Sequence, residues 1–367
     1  MKPTPVLLMA RELDLGGTER QLAEIARVLD RSRFEPHVGC FRPEGLRASE
    51  LRAAEVPVAV FPLTSFHSLP AVKAARALGA YARKHGIRLV HAFDAPANVF
   101  AVPVARMYGV PRVVSSQRAH RDLTPGPMRQ LLRLTDQIAD AVVVNCLSVR
   151  RQLLEEERVP AARIELCYNG VDTEVFRPCR EPRDGAGTVV GVVCALRPEK
   201  DLETLLRAFA QVLRSRNGAK LAIVGGGPER ARVEALAREL ALGEACSLEP
   251  ATDAVAERLR AMDIFVLPSR SEAFSNSLME AMACGCAVAA SRVGGNPELV
   301  EHGRTGLLFE PGDAAGLAAA LGALLDGREA RLRMGEAAAR RMREGFSLAA
   351  SARRMGEIYG SLLARVG

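Results

Sequence analysis

Residues 271–285 read SEAFSNSLMEAMACG and carry two carboxylates, Glu272 and Glu280, on either side of what the spacing makes a helix start. Asn276 or Ser277 can cap that helix, whose apolar face runs through Leu278, Met279, Ala281 and Met282. Glu280 then lies about one turn inside the helix, with Glu272 in the loop before it. A glycosidase pair would flank one bond directly, which this separation opposes, and Glu272 stands too far ahead of the helix to cap it. The two carboxylates are expected to divide their work.

Two cations form a second group. In CALRPEKDLETLLRAF, Arg197 and Lys200 fall just before a helix, where the dipole disfavours positive charge unless an anion sits between them. A diphosphate meets that requirement; the alternative is that both side chains reach into solvent or pair with Glu199 and Asp201. Two glycine-rich turns complete the set, Gly16-Gly17 ahead of a helix from Thr18 or Glu19, and Gly225-Gly226-Gly227 ahead of Pro228. The second lacks the third glycine of G-x-G-x-x-G, that place being held by Arg230, which argues against NAD.

These turns need strands to hold them, and the chain supplies apolar runs alternating with helical-period segments. The first series is PVLLMA, a helix from Thr18, PHVGCF, a helix near 44–54, VPVAVFPL, a helix over 70–85, RLVHAF, RVVSS, AVVVN and RIELCYN. After FRPCREPRDGAG (176–187), the best linker by composition, the pattern restarts. TVVGVVCAL, a helix over 200–215, KLAIVGGG, a helix over 228–241, CSLEP, a helix over 253–261, DIFVLPS, a helix over 276–284, CAVAAS and GLLFEP follow. Such alternation implies an α/β fold with two doubly wound parallel sheets. The expected domains are 1–180 and 188–345, with 346–367 a helix returning to the first, on its cleft side. In open parallel sheets ligands bind beyond the carboxyl ends of the strands, where all four turns fall.

The 367 residues, 48% hydrophobic and 25% charged, suit a globular protein of two cores. The eight cysteines are scattered, with only Cys284 and Cys286 close and no metal-ligand spacing, so a reducing compartment and no metal are expected. The apolar run near the N-terminus is too short for a signal peptide and is broken by Arg11 and Glu12. No stretch has the length of a membrane span. A cytoplasmic location follows as an expectation. Most of the +7 net charge lies in the first half, densest over 118–140, where Arg118, Arg121, Arg129 and Arg133 meet only Asp122 before Asp136. That is a solvated face or a contact for anionic lipid at the inner membrane surface; without interleaved aromatics it is no nucleic-acid site.

EAFSNSLMEAMACGCAVAAS resembles the E-x7-E motif of family 4 glycosyltransferases, which have the GT-B fold. GGTERQLAEIARVL, CYNGVDTEVFRP, LRPEKDLETLLRAF, IVGGGPER, DIFVLPSRSEAF and VGGNPELVEHGRTGLLFEPGD resemble further blocks of that family, in its order and over nearly the whole chain. The resemblance implies metal-free transfer of a sugar from a nucleotide-sugar donor to a saccharide or lipid-linked acceptor, with retention of configuration, in surface polysaccharide or glycolipid synthesis. It also implies roles. Glu280 would hold the ribose and Glu272 would lie by the donor sugar, with Phe274, Ser275 and Asn276 offering backbone N–H groups. Lys200 and Arg197 would neutralise the leaving diphosphate; Gly16 and Gly17, with Gly226 and Gly227, would lie against the donor. His91 would be a catalytic candidate, Glu298 a further acid of the site, and Arg118, His120 and Asn98 acceptor-side groups.

The chain departs from the family pattern in places. Cys194-Ala195-Leu196 stands where a G-R-L triplet is usual, which would leave Arg197 to supply the missing charge. Gln117 stands where many members carry a His, Phe93 replaces the second His of a looser pair begun by His91, and CSLEPATDAV lacks a Gly common before the base-binding loop. Another GT-B activity, an epimerase or phosphorylase, and a non-catalytic nucleotide-sugar binder are the alternatives.

Overall fold

The computed structural model describes residues 2–66, 69–178, 187–216 and 218–365. These form two compact units, residues 1–170 with 348–367, and residues 171–347.

In the first unit the strands are β1 (Thr4–Glu12), β2 (Phe34–Arg42), β3 (Val58–Val60), β4 (Leu89–Ala92), β5 (Arg112–Gln117), β6 (Ala141–Val144) and β7 (Ile164–Leu166). Between them run α1 (Gly17–Val28), α2 (Leu46–Ala53), α3 (Leu69–Lys84), α4 (Ala95–Met107), α5 (Gly126–Ile138) and α6 (Leu147–Glu155). All pair in parallel in the order β3-β2-β1-β4-β5-β6-β7. A central parallel strand is covered on both faces and so reads as an unbroken apolar run; Val6 to Ala10 of β1 are fully buried. One face packs on α3 and α4, the other on α1, α2 and a helix from the far end of the chain.

The second unit contains β8 (Val189–Val193), α7 (Leu202–Leu213), β9 (Lys220–Val224), α8 (Arg230–Glu239), β10 (Cys246–Glu249), α9 (Val255–Arg260) and β11 (Ile264–Leu267). It continues with α10 (Asn276–Ala283), β12 (Ala287–Ser291), α11 (Asn296–Leu299), β13 (Leu307–Phe309), α12 (Ala314–Asp326) and α13 (Arg328–Gly345). The parallel order is β10-β9-β8-β11-β12-β13. Helix α7 shows why these segments are helical: Leu202, Leu205, Leu206, Phe209 and Val212 recur at helical spacing and enter one core.

Strand order reverses between β1 and β4 in one sheet and between β8 and β11 in the other, which are the switch points where such sheets form ligand crevices. The turns with Gly16-Gly17, Arg197 to Lys200 and Glu272 to Asn276 follow β1, β8 and β11. Within the second sheet, strand order brings the turns after β8 and β11 together although they lie far apart in the chain.

Two boundaries differ from the sequence expectation. The first unit breaks after Gly170, because Val171 pairs with Ser347 and its N–H donates to the Phe346 carbonyl at 3.0 Å; residues 179–186 of the expected linker, Cys179 among them, lie outside the described residues. The second break falls between Ser347 and Leu348. Helix α14 (Leu348–Ala364) belongs to the first unit and buries Met355, Ile358, Tyr359 and Leu362 beside α1 and β2.

Candidate active site

Helix α10 is capped by Ser275, whose Oγ accepts from the Leu278 N–H at 3.4 Å, so Asn276 is its first residue. Glu280 is inside the helix and 5% exposed; Phe274 and Ser275 are equally buried. The Phe274 ring lies 5.8 Å from that of Phe346. Ahead of the cap, Glu272 Oε1 accepts from Lys200 Nζ at 2.5 Å and from Ser269 Oγ at 2.8 Å. The cation from the turn after β8 and the carboxylate from the turn after β11 thus form one ion pair at the switch point.

That pair is braced by its own backbone. The Arg270 N–H donates to the Glu199 carbonyl at 2.8 Å, and Arg270 Nε lies 3.0 Å from Asp201 Oδ2. Asp201 adopts φ +48, a left-handed conformation unusual for a residue with a side chain, immediately after Lys200. On the other side, Gly294 has φ +52 and a Cβ there would overlap the Glu272 carbonyl, while the Gly295 N–H donates to the Ala273 carbonyl at 2.7 Å. Ser269, Arg270 and Gly294 were missed by sequence reasoning, and Asp201 was weighed only as a partner for the two cations. The paired glycines of VGGNPE and the serine just past β11 were their visible signals.

Burial disfavours the Lys200 ammonium, but the Glu272 carboxylate outweighs this by charge and hydrogen bond, so the Lys200 pKa is raised. The lysine is a fixed cation at neutral pH. The neighbouring Cys194 thiol is pushed up to about 12 by burial, which keeps it from serving as a thiolate.

Arg197 does not join the pair. Its side chain is 63% exposed and 4.0 Å from Glu199. Gly226 and Gly227 are exposed beyond β9. Gly227, at φ +152, faces the backbone of Leu196 so closely that a Cβ would overlap it, and the Leu196 N–H donates to the Gly226 carbonyl at 2.9 Å. This glycine turn braces the segment leading to Arg197. Glu298 is half-buried in α11, its carbonyl accepting from Arg341 at 2.8 Å.

In the first unit, Gly16 caps α1 without a side chain, and the Glu19 carboxyl folds back against it. Burial raises the Glu19 pKa. Asp94 caps α4, accepting from the Ala97 N–H at 2.8 Å and from the Arg11 N–H of β1 at 2.6 Å. Asn98 latches α4 to β5 through both the carbonyl and N–H of Ser116, and His120 Nε2 lies 3.2 Å from Ser148 Oγ.

His91, expected among the catalytic groups, is fully buried. Its Nδ1 lies 2.7 Å from the Tyr359 hydroxyl and its Nε2 2.7 Å from Ser116 Oγ, with the Phe93 ring tilted against it at 4.3 Å. Burial lowers its pKa well below 6.5. Both nitrogens are engaged inside the core, so its geometry is that of a packing group tying β4 to α14, without direct access to a substrate.

Arg118 is different. It follows β5, its guanidinium lies 4.8 Å over the Phe93 ring, and Nη1 donates to Asn169 Oδ1 at 2.8 Å. Its Nε is buried without a partner, and burial pushes its pKa down to about 10.

The other arginines of the basic run are not bare, which corrects the sequence expectation. Arg121 is 1% exposed, with Nη2 2.5 Å from Asp136 and Nη1 3.4 Å from Glu157. Arg129 lies 2.6 Å and Arg133 2.5 Å from the same Glu157. Asp136 lies within α5 itself, whereas Glu157, just past α6, lies beyond the basic run in the sequence.

Among the described residues no cluster of three or more His, Cys, Asp or Glu could hold a metal ion, and no helix is long and apolar enough to cross a membrane.

Comparison with known proteins covers both units. A family model described as Glycosyltransferase Family 4 matches residues 15–175, and one described as Glycosyl transferases group 1 matches residues 180–341. A D-inositol 3-phosphate glycosyltransferase of Acidothermus cellulolyticus is 34% identical over 248 residues, 62% of this chain and 55% of that protein. A GDP-mannose-dependent alpha-(1-6)-phosphatidylinositol monomannoside mannosyltransferase of Mycobacterium tuberculosis is 31% identical over 274 residues, 69% of this chain and 71% of that protein. The chain therefore spans little more than half the length of the first of these relatives. Among solved structures, Anabaena HepE in complex with UDP and glucose superposes with TM-score 0.85 at 23% identity, covering 97% of this chain and 99% of that one. Sucrose-phosphate synthase of Thermosynechococcus elongatus gives 0.84 at 22% identity, covering 99% and 100%. These likenesses establish the GT-B fold. Given the match of both units in order, and a relative aligned over more than two thirds of its own length, the chain belongs to the family 4 glycosyltransferases.

Proposed function

We propose that this protein transfers a sugar from a nucleoside-diphosphate sugar to a saccharide or lipid-linked acceptor, with retention of configuration and without a protein-bound metal. The observation that carries the reading is the Lys200–Glu272 pair beside the N-terminus of α10, at the switch point of the second sheet. As the bond from C1 to the β-phosphate oxygen breaks, negative charge grows on the diphosphate. The Lys200 ammonium and the N-terminal end of α10 are positioned to receive it, stabilisation that increases toward the transition state. In this reading Glu280 accepts from the ribose hydroxyls, and Glu272 contacts the donor sugar once Lys200 turns to the phosphate. Surface polysaccharide or glycolipid synthesis in the cytoplasm, with contact to an anionic membrane, is the setting proposed. The relatives' names, which include GDP-mannose and phosphatidylinositol, favour such a setting.

A thermal-shift screen of UDP, GDP, ADP and dTDP tests the binding step. A ligand at a hundredfold excess over its Kd adds about 2.7 kcal/mol to apparent stability. One of these nucleotides should raise Tm in the wild type, and Lys200→Ala should cancel most of the rise. No rise with any nucleoside diphosphate would refute the reading. For the cognate donor, release of the nucleotide should require acceptor, and proton couplings of the product should report retained configuration; release without acceptor favours another GT-B activity, and binding without turnover favours a non-catalytic role.

A further inference from the structure

We infer that Arg118 anchors an oxyanion carried by the acceptor, a phosphate monoester or a carboxylate, and so sets acceptor specificity. This rests on the glycosyl-transfer reading above and narrows its acceptor class. Among the described residues the arginines in the buried class, Arg47, Arg121 and Arg331, each reach a carboxylate or a carbonyl, although Arg47 Nε and Arg121 Nη1 also lack a hydrogen-bond partner. Arg121 faces Asp136 and Glu157, Arg47 pairs with Glu50 at 2.6 Å, and Arg331 donates to the Leu324 carbonyl at 2.7 Å. Arg118 has one hydrogen bond, to the neutral amide of Asn169, and among the described residues no carboxylate pairs with it. Its Nε–H is buried and unpartnered.

A half-buried guanidinium held by one amide and an aromatic face, with its Nε–H sealed and unpartnered, is costly to fold. A guanidinium presents donors in a fork that matches phosphate and carboxylate oxygens. An arriving oxyanion would therefore offset a cost the fold already bears.

Position supports the same assignment. Arg118 follows β5, next in the sheet to the switch-point strand β4, whose end supplies Phe93 as the floor. Asn169 lies just past β7, and the strand between them, β6, ends at Asn145, whose buried Oδ1 is likewise unpartnered. Three neighbouring strand ends thus hold an unpaired cation donor and amide groups suited to a sugar hydroxyl, at the carboxyl edge where parallel sheets bind ligands.

The test compares matched acceptors, glycerol 3-phosphate with glycerol and glucuronate with glucose, in wild type, Arg118→Gln and Arg118→Lys, using the donor found by the thermal-shift screen. The wild type should prefer the charged member by about 30-fold in kcat/KM, as expected for a charge-assisted hydrogen bond. Whether phosphate or carboxylate gains more identifies the anion. Arg118→Gln should erase the preference and Arg118→Lys restore part of it, with the nucleoside-diphosphate thermal shift unchanged in both. Equal use of charged and neutral acceptors by the wild type, or a preference that survives in Arg118→Gln, would overturn the inference, as would a lost nucleotide shift, which would move Arg118 to the donor. If no acceptor is used, or the variants do not fold, titration of arginine-15N-labelled wild type with inorganic phosphate decides. A shifted Nε–H resonance of Arg118 supports the oxyanion site; an unmoved one overturns it, independently of nucleotide binding.

Discussion

Glu272 Oε1 accepts from both Lys200 and Ser269, so a diphosphate drawing on Lys200 must compete with that carboxylate. Glu272→Gln removes the competing charge, and calorimetry should find the nucleoside diphosphate bound ~5-fold more tightly even as sugar transfer is lost. Weaker nucleotide binding in that variant would mean the carboxylate supports the site instead of competing for it. Gly294 is the position where the brace behind Glu272 tolerates no Cβ; Gly294→Ala should cost about 1–3 kcal/mol in urea unfolding and reduce turnover further than stability alone explains. His91 provides a pH signature. Burial keeps it neutral in the folded state well below 6.5, while the unfolded chain takes up its proton near 6.5. Its contribution is therefore complete above pH 6.5 and is lost as pH falls below it, by up to about 1.4 kcal/mol per pH unit. His91→Gln should show a smaller difference in unfolding free energy between about pH 7.5 and about pH 5.5 than the wild type does.

Helix α5 shows how an element changes the meaning of a charge run. Arg121, Arg129 and Arg133 converge on Glu157 and Asp136, so the run is a clamp holding α5 against the end of α6. Asp136→Ala should destabilise by about 3–5 kcal/mol, because it leaves Arg121 buried beside a lost partner, whereas Arg133→Gln, at a half-exposed guanidinium, should cost under ~1 kcal/mol. What α5 turns outward is apolar: Leu134 is 56% exposed and Leu131 37%. If the proposed membrane contact runs through this helix, Leu134→Glu should reduce sedimentation with anionic vesicles at low salt more than Arg133→Gln does; the opposite ranking would restore the electrostatic account. The helices α4 to α6 were also the least legible in sequence. Helix α4 carries Pro103 within it, against propensity, and persists because its apolar residues enter the core beneath β4 and β5.

In the molecule as a whole, α14 returns to the first unit and completes the core face over α1, with Tyr359 bonded to His91 on β4. Tyr359→Phe should cost about 1 kcal/mol. Truncation after Ser347 would bare an entire apolar face and should abolish cooperative unfolding of the first unit by circular dichroism; a cooperative transition in the truncated chain would show α14 to be dispensable. The sequence by itself determined the two doubly wound sheets, because buried parallel strands must be apolar runs and the segments between them keep helical period. It also determined the chemical inventory, Glu272, Glu280, Lys200 and the glycine turns, and placed it after strands. Only the tertiary structure decided which of these groups meet. Lys200 reaches Glu272 while Arg197 stays outside, His91 is sealed in the core, and Arg121, Arg129 and Arg133 find Asp136 on α5 and Glu157 beyond α6, while among the described residues no carboxylate pairs with Arg118. Strand order and chain return bring together residues far apart in sequence, and burial then decides which charges are paired, which are exposed and which stay alone; none of these depends on local spacing.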